Sequence, residues 1–505
     1  MKAIFLLFIS ITTFSQNSTI QKVRQFRETN ELTILTEYIQ FLAIPNVTAD
    51  AENVRKNANF IIEMMKNRGI NAELLEGKTA DTNPVVFGEI IVPNAQKTLL
   101  FYAHYDGQPV NPKQWFEGLE PFKPVFIDKP MENGGKILAL KPNEKVNPTW
   151  RISGRGAADD KAGIMTILNA IEALTKNGTK LNYNIKFFFE GEEEVGSTHL
   201  EDILEKHKAK LKSDCWIFVD GPMHVSGKKM VVFGARGDAH IELTVYASKR
   251  PLHSGNYGNW APNPAKKLVD LLASMKDETG KVLIKGFYDD IIPLSVSEKE
   301  AIAKIPNIEK QLREELGFAE AEGGGKSLME LLNLPTLNIN GIASGNVGKM
   351  AANVIPTKAE AVLDLRLVKG NEVERQQQKV IEHIKAKGYF VTDKEPTETE
   401  RLQYKNIIKI VLPKGGSIAQ RTPMDLPIAQ NVIKAVQSTV KDEIVLNPSA
   451  GGTLPTFLFE KILKAKVVIV PVVNYDNNQH AENENVKIQA LWDGIETLAA
   501  IMSMN

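Results

Sequence analysis

Thr98-Leu99-Leu100-Phe101-Tyr102-Ala103-His104-Tyr105-Asp106 decides how this chain is read. It begins as an unbroken apolar run of strand length, the pattern of a strand buried on both faces. The run stops at a histidine and a carboxylate, residue types that bind metal ions. The same construction recurs downstream. Asn184-Ile185-Lys186-Phe187-Phe188-Phe189 leads into Glu190-Gly191-Glu192-Glu193-Glu194, and Cys215-Trp216-Ile217-Phe218-Val219 ends at Asp220. His480 lies on a polar loop after Lys466-Val467-Val468-Ile469-Val470-Pro471-Val472-Val473, and Asp159 lies in the glycine-rich turn Ser153–Lys161. Open α/β sheets bind ligands in the crevice at the carboxyl ends of their strands. Ligand-type residues at such ends predict one shared site, assembled from distant parts of the chain.

The surrounding pattern supports that sheet. Residues 31–42 and 53–65 carry apolar side chains at helical spacing, and 161–176 form an amphipathic helix that starts at Asp159-Asp160 and stops at Asn177-Gly178. Strands alternating with helices predict a mostly parallel sheet covered by helices. The texture changes near Gly234. Residues 239–247 and 359–367 alternate with period two, helices are expected at 264–275 and 372–387, and a short strand at 407–412. This is the pattern of a small α+β domain with one open sheet face. From about 418 the first texture returns, with a helix over 427–440, a buried strand over 467–473 and a closing helix over 487–502. The expected fold is an α/β catalytic domain built from 20–235 and 419–505, with an α+β domain, 236–418, inserted into it.

Length and charge narrow the function. A chain of 505 residues exceeds a single core. Lys+Arg and Asp+Glu are equal at 61 each, which gives no electrostatic reason for a nucleic-acid partner. Residues 1–16 combine Lys2, an apolar stretch from Ala3 to Phe14 and a small polar Ser15-Gln16, the order of a cleaved signal peptide; export to the periplasm or beyond is expected. No later segment is long and apolar enough for a membrane span. Cys215 is the only cysteine, so no intramolecular disulfide can form, and its strand context makes it a buried hydrophobe.

Taken alone, each ligand candidate has an ordinary structural reading. His104 and Asp106 could be a strand end and a turn residue, Asp159 or Asp160 a helix cap, Asp220 a turn, and His480 a loop histidine. Their conjunction points to a metal. Carboxylates crowded at a buried strand end repel one another unless a cation compensates. Histidines and carboxylates without a thiolate suit zinc, manganese or cobalt, and this number of ligands suits a bridged pair. Asp106 is near enough in sequence to orient the second ring nitrogen of His104. Of the neighbours Glu193 and Glu194, one can ligate while the other faces a water.

These stretches resemble the dinuclear-zinc metallopeptidases of family M20, which include non-specific dipeptidases, carnosinases, aminoacylases and acyl-amino-acid deacylases. The matching pieces are His104-Tyr105-Asp106-Gly107-Gln108-Pro109, Gly154–Lys161, Glu190–Ser197, Asp220, Leu252-His253-Ser254-Gly255 and His480. The dipeptidase and carnosinase branch is the nearest, and the resemblance covers nearly the whole chain after the leader. It implies that Asp159 bridges two divalent ions, zinc first, with manganese or cobalt as alternatives. His104 and Asp220 would complete one ion, and Glu194 and His480 the other. Glu193 would be the general base acting on a water between the metals, Asp106 would hold His104, and the Asp159–Asp160 peptide would be cis. The inserted domain would be a lid and dimerisation domain. His253 would reach the active site of the other copy in a homodimer, Asn353 and Arg366 would contact the substrate carboxylate, and Gly452 and Thr453 would lie in the substrate-binding loop. Glu192 departs from the branch pattern and is expected to add charge near the metals.

The implied activity is hydrolysis of the amide bond in dipeptides or short peptides with a free carboxylate. A deacylase of N-acyl amino acids, acetyl or succinyl, uses the same chemistry. A catalytically inactive binding protein on the same scaffold would require a missing ligand or base, and every such position is filled.

Overall fold

Phe187, Phe188 and Phe189 show why the central strands are apolar throughout. Successive side chains of a strand point to opposite faces. Phe187 and Phe189 join one core with Phe101, Ile217 and residues of the helices Lys161–Lys176 and Ile488–Met502. Phe188 joins a second core on the other face with Tyr102, Trp216, Phe218 and Phe459. Both faces are covered, so neither can be polar.

The computed structural model describes residues 2–79, 82–139 and 145–505, with side chains from Ser18 onward. The side chains of the expected leader, 1–16, lie outside the described residues. Among the described residues the largest sheet has eight strands, and its centre is parallel. Thr98–His104 lies between Asn184–Glu190 and Cys215–Phe218, and Val467–Ile469 pairs parallel with Cys215–Phe218. The expectation of a mostly parallel sheet holds at that centre. Antiparallel pairs flank it: Asn71–Leu75 with Val85–Ile90, Val85–Ile90 with Asn184–Glu190, and Val467–Ile469 with Met230–Val232. A separate four-stranded antiparallel sheet includes Arg151–Ser153 and Asn485–Lys487, which pair directly.

The register sets the site. His104 aligns with Glu190, and Tyr102 with Phe218. The ends of three neighbouring strands, with Asp220 two residues beyond Phe218, therefore reach the same edge of the sheet. Helix Lys161–Lys176 starts there. Its N-cap is Asp160, whose side chain accepts from the Gly163 N–H. Lys161 is fully buried, and its Nζ donates 2.8 Å hydrogen bonds to the Phe41 and Ile44 carbonyls at the end of the first helix, Lys2–Leu42. Burial pulls the Lys161 amine well below its ordinary pKa.

Residues 237–411 build a five-stranded sheet ordered Thr336–Ala343, Lys358–Leu367, Gly237–Tyr246, Ile407–Val411, Phe390–Thr392. Ile241, Leu243, Leu363 and Leu365 pack with Leu268, Leu271, Val380 and Ile384 from two helices in a core of its own. The alternating pattern at 239–247 and 359–367 is that half-covered sheet. Two chain crossings connect it to the large sheet. Gly234–Ala235 pairs with Gln420–Arg421, and a Cβ at Gly234 or Gly237 would come within 2.1 Å of the Gln420 or Ser417 carbonyl oxygen.

Phe459 closes one face of the central sheet, with its ring edge-on to Tyr102, Phe188, Trp216 and Phe218 at centroid distances of 5.8, 6.0, 4.6 and 5.1 Å. Phe459→Ala is expected to cost about 3–5 kcal/mol of stability, measured by denaturant titration.

Candidate metal centre

Asp159 is the centre of the site. His104 Nε2 lies 2.9 Å from its Oδ1, and His480 Nε2 lies 2.9 Å from its Oδ2. Asp220 joins Asp159 and His104 in one group, and Glu194 joins Asp159 and His480 in another; within each group the ligand atoms all lie within 4.8 Å of one another. His480 Nε2 is 3.2 Å from Glu194 Oε2. The two groups share Asp159. A tetrahedral ion with arms of about 2.0–2.1 Å has ligand atoms about 3.3–3.4 Å apart, so the donor set and its spacing fit two adjacent divalent ions. The Asp159–Asp160 peptide is cis, as the resemblance implied.

Backbone contacts aim these side chains. Glu484 is fully buried and accepts hydrogen bonds from the N–H groups of Gly156, Ala158 and Asp159 at 3.0, 2.8 and 3.0 Å and from the Arg155 guanidinium at 2.7 Å. It fixes the turn that carries Asp159. Glu484 was not singled out from sequence. Its one signal is a carboxylate four residues after His480 on a polar loop, and nothing in that spacing names its partners.

Asp106 plays a corresponding part. Its carboxylate accepts from Thr48 Oγ1 at 2.8 Å and from the Glu193 and Glu194 N–H groups at 3.2 and 3.1 Å, and its Oδ1 lies 3.3 Å from His104 Nδ1. Asp106 thus sits beside the His104 ring, and it fixes the backbone of the glutamate pair. Glu194 then points to His480 and takes a 2.8 Å hydrogen bond from Gln108 Nε2. The Glu193 carboxylate is half-buried and accepts no hydrogen bond among the described residues. Glu192 accepts from the Asn83 N–H at 3.0 Å and lies 2.9 Å from His199 Nδ1, which anchors the loop at Asn83.

The electrostatics are those of crowded, buried carboxylates. Burial pushes the Asp220 carboxyl up to about 6, and Asp159 adds to the rise. Burial holds Glu193 well above the ordinary carboxylate range, with Asp220, Asp159 and Glu194 adding to this and His104 opposing it. Burial disfavours a charged His104, yet Asp106 and Asp159 hold its pKa well above the usual value. The hydrogen bonds to Asp159 and Glu194 raise His480 to about 10. Burial would raise Asp159, but its bonds to His104 and His480 hold it low. Such a cluster demands positive charge, as imidazolium protons or as a divalent cation.

The remaining site residues divide. Arg366 Nη1 donates to Thr453 Oγ1 at 3.0 Å, joining the five-stranded sheet to the loop at 449–453. That loop is docked on a chain crossing, with the Ala450 N–H donating to Gly234 O at 2.8 Å and the Arg236 N–H to Gly452 O at 3.2 Å. His253 and Asn353 are exposed and outside this cluster: His253 Nδ1 accepts from the Gly255 N–H at 3.0 Å, and Asn353 O accepts from the Ser254 N–H.

The sequence profile of peptidase family M20/M25/M40 matches residues 100–504. The chain belongs to peptidase family M20/M25/M40. Among similar family proteins, the Cys-Gly metallodipeptidase DUG1 of Candida albicans is 28% identical over 481 residues, 91% of this chain and 92% of its own. The Beta-Ala-His dipeptidase of Homo sapiens is 26% identical over 437 residues, 85% of this chain and 78% of its own. The M20 family metallo-carboxypeptidase Sso-CP2 from Sulfolobus solfataricus superposes with a TM-score of 0.72 at 31% identity, covering 93% of this chain and 98% of that one.

Removing Glu484 would leave Arg155 buried without its counter-charge and three N–H groups without their acceptor. Glu484→Ala is expected to destabilise the protein by about 3–5 kcal/mol and to lower its metal content, read by thermal unfolding and elemental analysis.

Proposed function

We propose that this chain is a metal-dependent dipeptidase that hydrolyses the amide bond of dipeptides or short peptides carrying a free carboxylate. The observation that carries the proposal is the sharing of Asp159 by two ligand groups, with the uncommitted carboxylate of Glu193 beside them. The dipeptidase names of the two relatives support the substrate class. His104, Asp159 and Asp220 would hold one ion, and Asp159, Glu194 and His480 the other. Zinc is the first choice for this nitrogen and oxygen donor set, with manganese and cobalt as alternatives. Bound divalent ions lower the pKa of a water and polarise a carbonyl. Glu193 takes the proton of the attacking water and delivers it to the leaving amine. Asp106 keeps His104 and the Glu193–Glu194 backbone in place. Arg366 pairs with the free carboxylate of the substrate, the group a guanidinium fork matches, with Asn353, Gly452 and Thr453 lining the same end. Segment 236–418 acts as the lid, and the order of residues 1–16 supports export of the enzyme.

A homodimer completes this reading. Thr336–Ala343 is an edge strand; its own Ile342 and, beyond it, Val347, Met350 and Val354 are 54%, 87%, 72% and 45% exposed. An edge strand followed by exposed apolar side chains favours pairing with a second copy. His253 pairs with Val354 in a short ladder at that surface, from which it would stabilise the developing oxyanion in the partner's site.

Glu193→Gln is expected to retain its metal while turnover of a dipeptide falls by about 10²- to 10⁴-fold; near-normal turnover removes Glu193 from the base role. Chelation should abolish activity and lower the melting temperature, with both restored by added zinc, manganese or cobalt. A panel of dipeptides against N-acetyl and N-succinyl amino acids separates a dipeptidase from a deacylase. Light scattering is expected to give a dimer, and a fully active monomer contradicts the role of His253 across the interface.

A further inference from the structure

The polar face of the five-stranded sheet carries a charge arrangement around Arg366. Ala239, Ile241, Leu363 and Leu365 face the apolar core, so their alternate neighbours Asp238, His240, Asp364 and Arg366 share the opposite face. The register places Asp238 opposite Arg366 and His240 opposite Asp364. Asp364 sits two residues before Arg366 on the same strand, and its Oδ2 accepts from Arg366 Nε at 3.1 Å. Its other oxygen makes no hydrogen bond among the described residues and lies 3.5 Å from His240 Nε2. The Asp364 side chain is only 10% exposed against 35% for Arg366. At the start of the neighbouring strand, the buried Arg236 donates to Leu334 O at 2.9 Å and to Thr336 Oγ1 at 3.3 Å.

We infer that Asp364 is a positioning residue, which holds the Nε edge of Arg366 so that its outer edge reaches Thr453 and presents Nη2 to the carboxylate of the substrate. This rests on the assignment of Arg366 to that carboxylate. A guanidinium has five N–H donors in a rigid fork. Asp364 engages the Nε edge and Thr453 one Nη1 proton, which leaves Nη2 uncommitted. The long side chain is ordered before substrate arrives, so less freedom is lost on binding. Asp364 also offsets the repulsion between Arg366 and Arg236, two cations on neighbouring strands.

Steady-state kinetics of the metal-loaded enzyme on one dipeptide test this. Asp364→Ala is expected to raise KM about tenfold and to change kcat by less than about threefold, as expected for loss of a charged hydrogen bond that acts in binding. Asp364→Asn keeps an oxygen acceptor for Nε and should recover most of the loss. In an Arg366→Met background, Asp364→Ala should have no further effect on KM. An unchanged KM in Asp364→Ala, a loss confined to kcat, or an equal loss in both backgrounds overturns the inference. If Arg366→Met alone leaves KM unchanged, the carboxylate assignment fails and the inference falls with it; the single variants tell these outcomes apart. Asp364→Ser replaces the alanine variant if the latter does not fold.

Discussion

The buried carboxylate of Glu484 is the contact on which the site depends. Three N–H groups of one tight turn and one guanidinium converge on it. A buried carboxylate is costly unless its charge and its acceptor capacity are both answered, and here both are. The contact has two ends. One is the turn that carries Asp159, and the other is the loop that carries His480. Residues separated by more than three hundred positions therefore arrive as one body, with Asp159 between two imidazoles. The short ladder between Arg151–Ser153 and Asn485–Lys487 adds a second tie between the same two stretches.

The glutamate run follows the same logic with other parts. Adjacent carboxylates at a strand end would spread apart if left to their repulsion. Asp106 prevents this by accepting both the Glu193 and Glu194 N–H groups, which fixes their backbone and divides their side chains. Glu194 turns to His480 and Gln108, while the Glu193 carboxylate meets no hydrogen-bond donor among the described residues. Identical side chains at neighbouring positions meet two different surroundings, with one carboxylate holding both of their backbone N–H groups.

Strand ends were readable because burial on both faces writes a continuous apolar run, and the polar residue that ends it is conspicuous. His104, Glu194 and Asp220 could be found this way, and Asp159 and His480 from the turn and loop that hold them. The edge strand Thr336–Ala343 could not. It is mostly exposed, carries Asn338, Asn340 and Gly341, and has a register shift between Ile339 and Gly341, so no alternation survives. The antiparallel strands flanking the large sheet were also missed, since run length and apolarity do not encode direction. The partners of Glu192, His199 and Asn83, were likewise not legible, since the sequence carries no sign of which neighbours a side chain will meet. Glu484 stayed hidden because three of its four partners are backbone N–H groups, which have no letter in a sequence.

The pairing of Gly234–Ala235 with Gln420–Arg421 has a consequence for how this architecture can change. The two ends of a long excursion are brought to ladder distance, about 4.8 Å apart. To the large sheet, everything between those ends is equivalent to a hairpin loop. Closing it costs little more however long it is, because loop entropy grows only with the logarithm of length. The excursion can therefore be rebuilt, lengthened or exchanged without reopening the core that holds the ligands. Changes in the excursion are in this way uncoupled from the packing of the large sheet.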